Sequence, residues 1–204
     1  MKYNRCQSAI SEVVNKLVLY LDETWKHLLD FDTDYLFDPE HMAAYAQAIY
    51  KSGVPLKTVW SLIDCTIVHM CHPIWFQRQA FNGHKKFHVL KYQALRLPNG
   101  LIGHLFGPQK GRQNDNALAA MSKVFEKALE HATRPGTNEN TPIAEHHFQI
   151  FGDPAYGMSP VILSPFAGAG DQTAAEQEWN NIMSKARISI EHAFGLVLKE
   201  WPFI

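Results

Sequence analysis

The 204-residue sequence predicts an α/β fold: a mixed sheet flanked by helices and preceded by a short all-helical segment. Three observations carry this expectation. Apolar residues recur at three- and four-residue steps near the N-terminus and again beyond residue 173, the spacing of amphipathic helices. Between these stretches, β-branched and alternating runs separated by turn formers read as strands. A hydrophobic content of 46% against 19% charge supplies material for one medium core, or one core with a small appendage.

Residues 7–29 place Ile10, Val13, Val14, Leu17, Leu21, Trp25 and Leu28 on one helical face, with a break near Asp22, and that face is expected to be core. Pro39 opens a second helix at its first turn. Met42, Tyr45, Ala46 and Ile49 line one side of it, and Gly53 is its stop. The helical segment therefore covers 1–53 and the main domain 54–204. Residues 59–70 form a β-branched, apolar run, and 86–97 alternate as a longer strand. The turn Pro98-Asn99-Gly100 returns the chain into a strand over 101–106, completing a hairpin.

Residues 114–131 are helical, with Leu118, Met121, Phe125 and Leu129 on the expected buried stripe. Residues 133–145 carry no periodicity and are rich in turn formers, so they are a loop. A short apolar strand over 148–151 ends at Gly152-Asp153. Thr173 and Glu176 then make a capping box that opens a helix to about residue 200, with Ile182, Ile190, Phe194 and Val197 on its core side.

Net charge is −1, but it is unevenly spread. Residues 54–116 hold eight Lys/Arg and five His against only Asp64 and Asp115, whereas both flanks are acidic. A basic middle of this kind suits a polyanion, although solvated strand and loop charges would look the same. No apolar run approaches the roughly 20 residues of a membrane helix, and no secretory h-region follows Lys2 and Arg5. Three cysteines, an odd number, point to free thiols in a reducing, intracellular compartment.

Four acids stand out. Asp64 lies inside the apolar run Ser61-Leu62-Ile63-Asp64-Cys65-Thr66, where a carboxylate needs compensation, from backbone donors or from a metal ion. Asp153 ends the later apolar strand. If the two strands pair in parallel, Asp64 and Asp153 emerge side by side, and like charges that close demand a cation. Glu191 sits on the last helix one turn after Arg187, so it is either a site acid or half of a local ion pair. Asp115 precedes a helix and serves either as a cap or as a further ligand.

Competing motifs are weaker. His69, Cys71 and His72 with His84 or His88 offer only half of a zinc spacing. His146-His147 lack the Glu of a HExxH helix, residues 107–111 are no phosphate loop, and Ser159 lacks the glycine spacing of a nucleophile elbow.

Six ordered blocks over residues 54–204 resemble the DDE-type nuclease domain of PIF/Harbinger-like transposases, including fungal forms. They are 60–66 (WSLIDCT), 82–97 (NGHKKFHVLKYQALRL), 98–107 (PNGLIGHLFG), 114–116 (NDN), 152–156 (GDPAY) with 164–166 (SPF), and 187–195 (RISIEHAFG). The resemblance implies an RNase H-like fold, with Asp64, Asp115, Asp153 and Glu191 as catalytic acids and ligands of Mg²⁺ or Mn²⁺. It implies DNA as substrate, cleavage at element ends with joining of the freed 3′ hydroxyl, a nuclear location, and a separate Myb-like DNA-binding partner. Hard carboxylate oxygens suit such ions, and two of them can activate an attacking oxygen while neutralising a departing one. Lys85, Lys86 and Arg112 are the expected phosphate contacts.

The chain departs from the family pattern in three places: little more than two helices precede Trp60, where relatives usually carry a helix-turn-helix region, and two further differences lie downstream. Val68-His69-Met70-Cys71-His72 follows Thr66 where relatives often carry a basic residue, and the sequence stops soon after the last block, as a truncated copy would. A domesticated or decayed relative that binds without cutting is the alternative function.

Overall fold

The computed structural model describes residues 5–30, 32, 34–168 and 170–200; the ends of both predicted segments, 1–4 and 201–204, lie outside the described residues. Two helices come first, α1 (Gln7–Trp25), continued by a 3₁₀ turn at Lys26–Leu29, and α2 (Pro39–Lys51). Asp38 caps α2 by accepting a hydrogen bond from His41 N at 3.0 Å, and Pro39 occupies the first turn, where a missing N–H costs nothing. The helix ends at Ser52-Gly53, with Gly53 at φ +104°.

Six strands follow: β1 (Val59–His69), β2 (Phe81–Asn82), β3 (Phe87–Arg96), β4 (Ile102–Lys110), β5 (Gln149–Phe151) and β6 (Ile162–Leu163). A short helix, α3 (Gln77–Ala80), precedes β2, and α4 (Asp115–Ser122) and α5 (Val124–His131) lie between β4 and β5. The last helix is α6 (Ala174–Glu200), opened by the predicted capping box: Thr173 N donates to Glu176 Oε2 at 2.7 Å and Glu176 N to Thr173 Oγ1 at 3.3 Å.

The sheet runs β2-β3-β1-β5-β6, with β4 also paired to β3. β3 is antiparallel to both β1 and β4, the expected hairpin, whereas β1, β5 and β6 are parallel. This is the mixed, helix-flanked sheet of the RNase H-like fold.

Each face of the sheet has its own core. On one, Trp60, Ile63 and Leu95 pack with Met42, Ala119, Val124 and Ala128; on the other, Val59, Leu62 and Phe151 pack with Met183 and Ile190 of α6. Burying side chains of this size contributes roughly 1.5–3 kcal/mol each before conformational entropy is counted.

Three expectations about burial are corrected. No residue of α1 is buried: Val14, Leu17 and Leu21 are all exposed, because periodicity reports an apolar face and not what covers it. The predicted 114–131 helix breaks at Lys123, which is left-handed at φ +58°. Beyond the break Val124 and Ala128 are the buried residues and Leu129 faces solvent; before it Leu118, Ala119 and Ser122 are buried and Met121 is exposed. On α6, Met183, Ile190 and Ala193 are the buried residues, and Val197 lies exposed beyond the covered part of the helix. Among the described residues no helix is long and apolar enough to cross a membrane.

Candidate active site

Asp64 owes its position to strand alternation. Leu62 packs toward α6, and side chains two residues apart share a face, so Asp64 points to the same side. Its Oδ1 accepts a hydrogen bond from Cys65 N at 2.9 Å. The parallel pairing of β1 with β5 ends at Leu62 opposite Phe151. Two residues past that point on the two strands stand Asp64 and Asp153. Because β5 stops while β1 runs on to His69, the β1 edge beyond Leu62 has no strand on that side, and the acids emerge at this opening.

Asp153 is anchored by a turn. It caps the 3₁₀ turn Pro154–Tyr156, with Oδ1 accepting from Ala155 N at 2.9 Å. Tyr156 lies directly over Gly152, where a Cβ would come within 2.5 Å of its ring and 2.8 Å of Ile63. The Tyr156 hydroxyl meets Cys65 Sγ at 3.3 Å and accepts from Gln93 Nε2 at 3.4 Å, while Ser122 Oγ donates to Gln93 Oε1 at 2.8 Å. This buried network ties the turn after β5 to β1, the two pieces of backbone that carry Asp153 and Asp64. Burial pushes the Cys65 thiol up to about 12, so it stays protonated within the network.

The two helix-borne acids are placed differently. Asp115 is the first residue of α4, whose cap is Asn114, its side chain accepting from Ala117 N at 2.7 Å. The Asp115 carboxylate is therefore free of capping, and it forms an ion pair with Lys91, whose Nζ also donates to Gln113 O at 3.0 Å. Glu191, midway along α6, pairs with Arg187 at 3.4 Å. Asp64, Asp115 and Glu191 line one open cleft of about 550 Å³, together with Asn82, His84, Lys85 and Lys91. A cavity of about 600 Å³ between α2 and α6 is lined without any acid.

Electrostatics couple the cleft to Asp153. Burial pushes the Asp64 carboxyl up to about 6; the Cys65 N–H and the Arg187 charge oppose this, and Asp153 and Asp115 add to it by like-charge repulsion. Asp153 is also raised, first by burial and then by Asp115. Among the described residues no lysine or arginine forms an ion pair with Asp64 or Asp153. Nor do any three His, Cys, Asp or Glu side chains there enclose a metal ion by themselves, the predicted His69, Cys71, His72, His84 and His88 set included. His72 instead meets His88 ring to ring at 4.4 Å.

The structure thus brings Asp64 and Asp153 to one opening in the sheet. It gives Asp115 and Glu191 cationic partners on the rim. Lys85 reaches the cleft; Lys86 and Arg112 are not among its lining residues. Sequence reasoning missed Lys91, Gln93 and Tyr156. The signal was available in Lys91 and Gln93, two polar residues on a strand face otherwise made of Phe87, Val89 and Leu95.

A mixed sheet with carboxylates at its open centre defines the class, an RNase H-like α/β protein with an acidic cleft. The family described as DDE superfamily endonuclease matches residues 63–204, beginning one residue before Asp64, and the chain belongs to that family. At the level of the family, the activity is that of a nuclease. No curated protein and no solved structure matches the chain.

Proposed function

We propose that this chain cuts DNA phosphodiester bonds with divalent cations, Mg²⁺ or Mn²⁺, at Asp64, Asp153, Asp115 and Glu191, as a Harbinger-like transposase nuclease acting in the nucleus. The observation that supports it best is the pair of partly desolvated, mutually repelling carboxylates Asp64 and Asp153, which lack any ion pair among the described residues. Mg²⁺ is usually held by one or two carboxylates plus waters and substrate phosphate, so a protein cage of three ligands is not required. When bound, such ions activate the attacking oxygen and neutralise the departing one.

The chain's own residues prepare that event. Cys65 N–H occupies Oδ1 of Asp64 and Ala155 N–H occupies Oδ1 of Asp153, leaving the second oxygen of each as donor. Lys91 and Arg187 neutralise Asp115 and Glu191 until a cation or phosphate competes for them. Lys85, Lys86 and Arg112 contact DNA phosphates, giving binding that weakens steeply with salt. Joining of the freed 3′ hydroxyl to target DNA and action with a Myb-like partner extend the same reading.

The ion pairs Lys91–Asp115 and Arg187–Glu191 also favour a second reading, a decayed relative that keeps the fold and binds DNA or protein without cutting. Nicking of supercoiled plasmid in Mn²⁺ separates the two. Wild type is expected to nick and Asp64→Ala to be inert; equal activity in both proteins, or none in either, removes the nuclease reading.

A further inference from the structure

The loop between β1 and α3 exposes three large apolar residues in succession: Ile74, Trp75 and Phe76 are 82%, 76% and 74% accessible. Exposure on this scale gains nothing for folding. Phe76 is moreover left-handed, at φ 60° and ψ 26°, a conformation that bulky residues avoid. The backbone there is held by its own carbonyl, which accepts from Gln79 N at 2.9 Å and Ala80 N at 3.2 Å, so α3 is built on the strained residue. Strain kept in order to display an aromatic ring is a mark of function.

The surroundings specify the partner. No acid occurs in the sequence between Asp64 and Asp115, so the segment carrying the tip brings only cationic charges to it. Arg78 lies in α3, Arg112 N donates to Gln79 O at 3.4 Å, and Lys85 and Lys86 form the turn between β2 and β3. The ring contact of His72 with His88 at 4.4 Å fastens the loop to that hairpin, and Phe81 packs on His88 at 5.5 Å within it. Lys85 and His84 also line the acidic cleft, so the hairpin to which the loop is fastened carries the basic turn into the cleft. A polyanion lying along the lysines brings its flanking bases to the tip, and exposed aromatics on a basic track are how proteins stack on nucleic-acid bases.

We propose that Trp75 and Phe76 form a stacking wedge that engages an unstacked DNA base beside the phosphate held in the acidic cleft, so that the protein prefers DNA with unpaired bases to intact duplex. The proposal rests on the DNA-cutting reading and goes beyond it by naming the form of the substrate.

The test is competition binding of the full chain, without divalent cation, to a forked duplex carrying 2-aminopurine at the junction and to an intact duplex of the same sequence. Wild type is expected to favour the fork and to quench the 2-aminopurine. Trp75→Ala with Phe76→Ala should lose about tenfold or more on the fork, the scale of one lost base stack, and little on the duplex. Trp75→Tyr should retain most of the preference. Phe76→Gly, suited to the left-handed backbone, should lose part of it while melting no lower than wild type. Lys85→Ala with Lys86→Ala should weaken both DNAs and lower the salt slope by about 2.

Equal binding of fork by wild type and the double aromatic variant, or equal losses on fork and duplex, overturns the wedge. So does a loss seen only on anionic phospholipid vesicles, which would assign the tip to a membrane surface. A wild type that prefers forks but never nicks plasmid supports the wedge and removes the nuclease reading. One that nicks while the aromatic variant changes nothing removes the wedge alone.

Discussion

The strand-end acids and the helix acids of this protein meet their charge in opposite ways. Asp64 and Asp153 each have one oxygen fixed by a neighbouring backbone N–H, carry raised affinities for protons, and have no ion-pair partner among the described residues. Asp115 and Glu191 stand on helices and are paired with Lys91 and Arg187. A charge that burial and like-charged neighbours disfavour is poised to accept a cation, whereas a charge already neutralised is poised to exchange partners. The first pair is thus positioned by sheet register, and the second by side chains that can move.

The largest effect that would break this comparison is on cleavage itself. In single-turnover nicking with Mn²⁺, Asp64→Asn and Asp153→Asn should each slow the reaction by at least about a hundredfold, more than outer ligands typically cost. Asp115→Asn and Glu191→Gln should cost about tenfold. Equal losses at all four positions would mean that the helix acids are ligands of the same rank.

Next in size is the cost of removing the cations, read by urea denaturation. The side chains of Lys91 and Asp115 are 11% and 19% exposed, so Lys91→Met strands a largely buried carboxylate and should cost about 2 kcal/mol. Arg187→Met breaks a far more exposed pair and should cost under about 1 kcal/mol. A reversal of that order would place Glu191 in the stressed group.

A third test sharpens the comparison through pH. Asp64 binds its proton more tightly when folded, at about 6, than when unfolded, at roughly 4. The folded state therefore holds more protons between these values, and its stability falls as pH rises through them, with the full penalty standing above about 6. Asp64→Asn, which keeps the acceptor for Cys65 N, should be more stable than wild type at pH 7.5 by ~1–2 kcal/mol after allowance for solvent, and equal to it below about pH 4. Added Mg²⁺ should raise the melting temperature of wild type at pH 7.5 and leave the variant unmoved. A variant less stable than wild type at pH 7.5 without metal would show that the carboxylate is already satisfied in the fold.

Much of this arrangement was legible before any coordinates. Hydrophobic alternation over 86–97 and the turn at Pro98-Asn99-Gly100 located the hairpin, and Thr173 with Glu176 marked the start of α6. An acid inside one apolar run and another at the end of a second flagged Asp64 and Asp153, and the parallel pairing on which their meeting was conditional is the one observed. Lys91 escaped notice because a lysine in an alternating strand looks solvated until its partner on a distant helix is known. The same limit hid the break at Lys123 and left α1 with an apolar face that none of the described residues buries.

The chain's own residues determined the strand and helix order, the caps, the acid-free basic middle and the family, because those follow from short-range periodicity and residue chemistry. Which acids meet, which are neutralised and which stay stressed was decided by tertiary structure alone. Charge pairing and desolvation depend on distances between segments some ninety residues apart, such as Cys65 and Tyr156, and no local pattern encodes those distances.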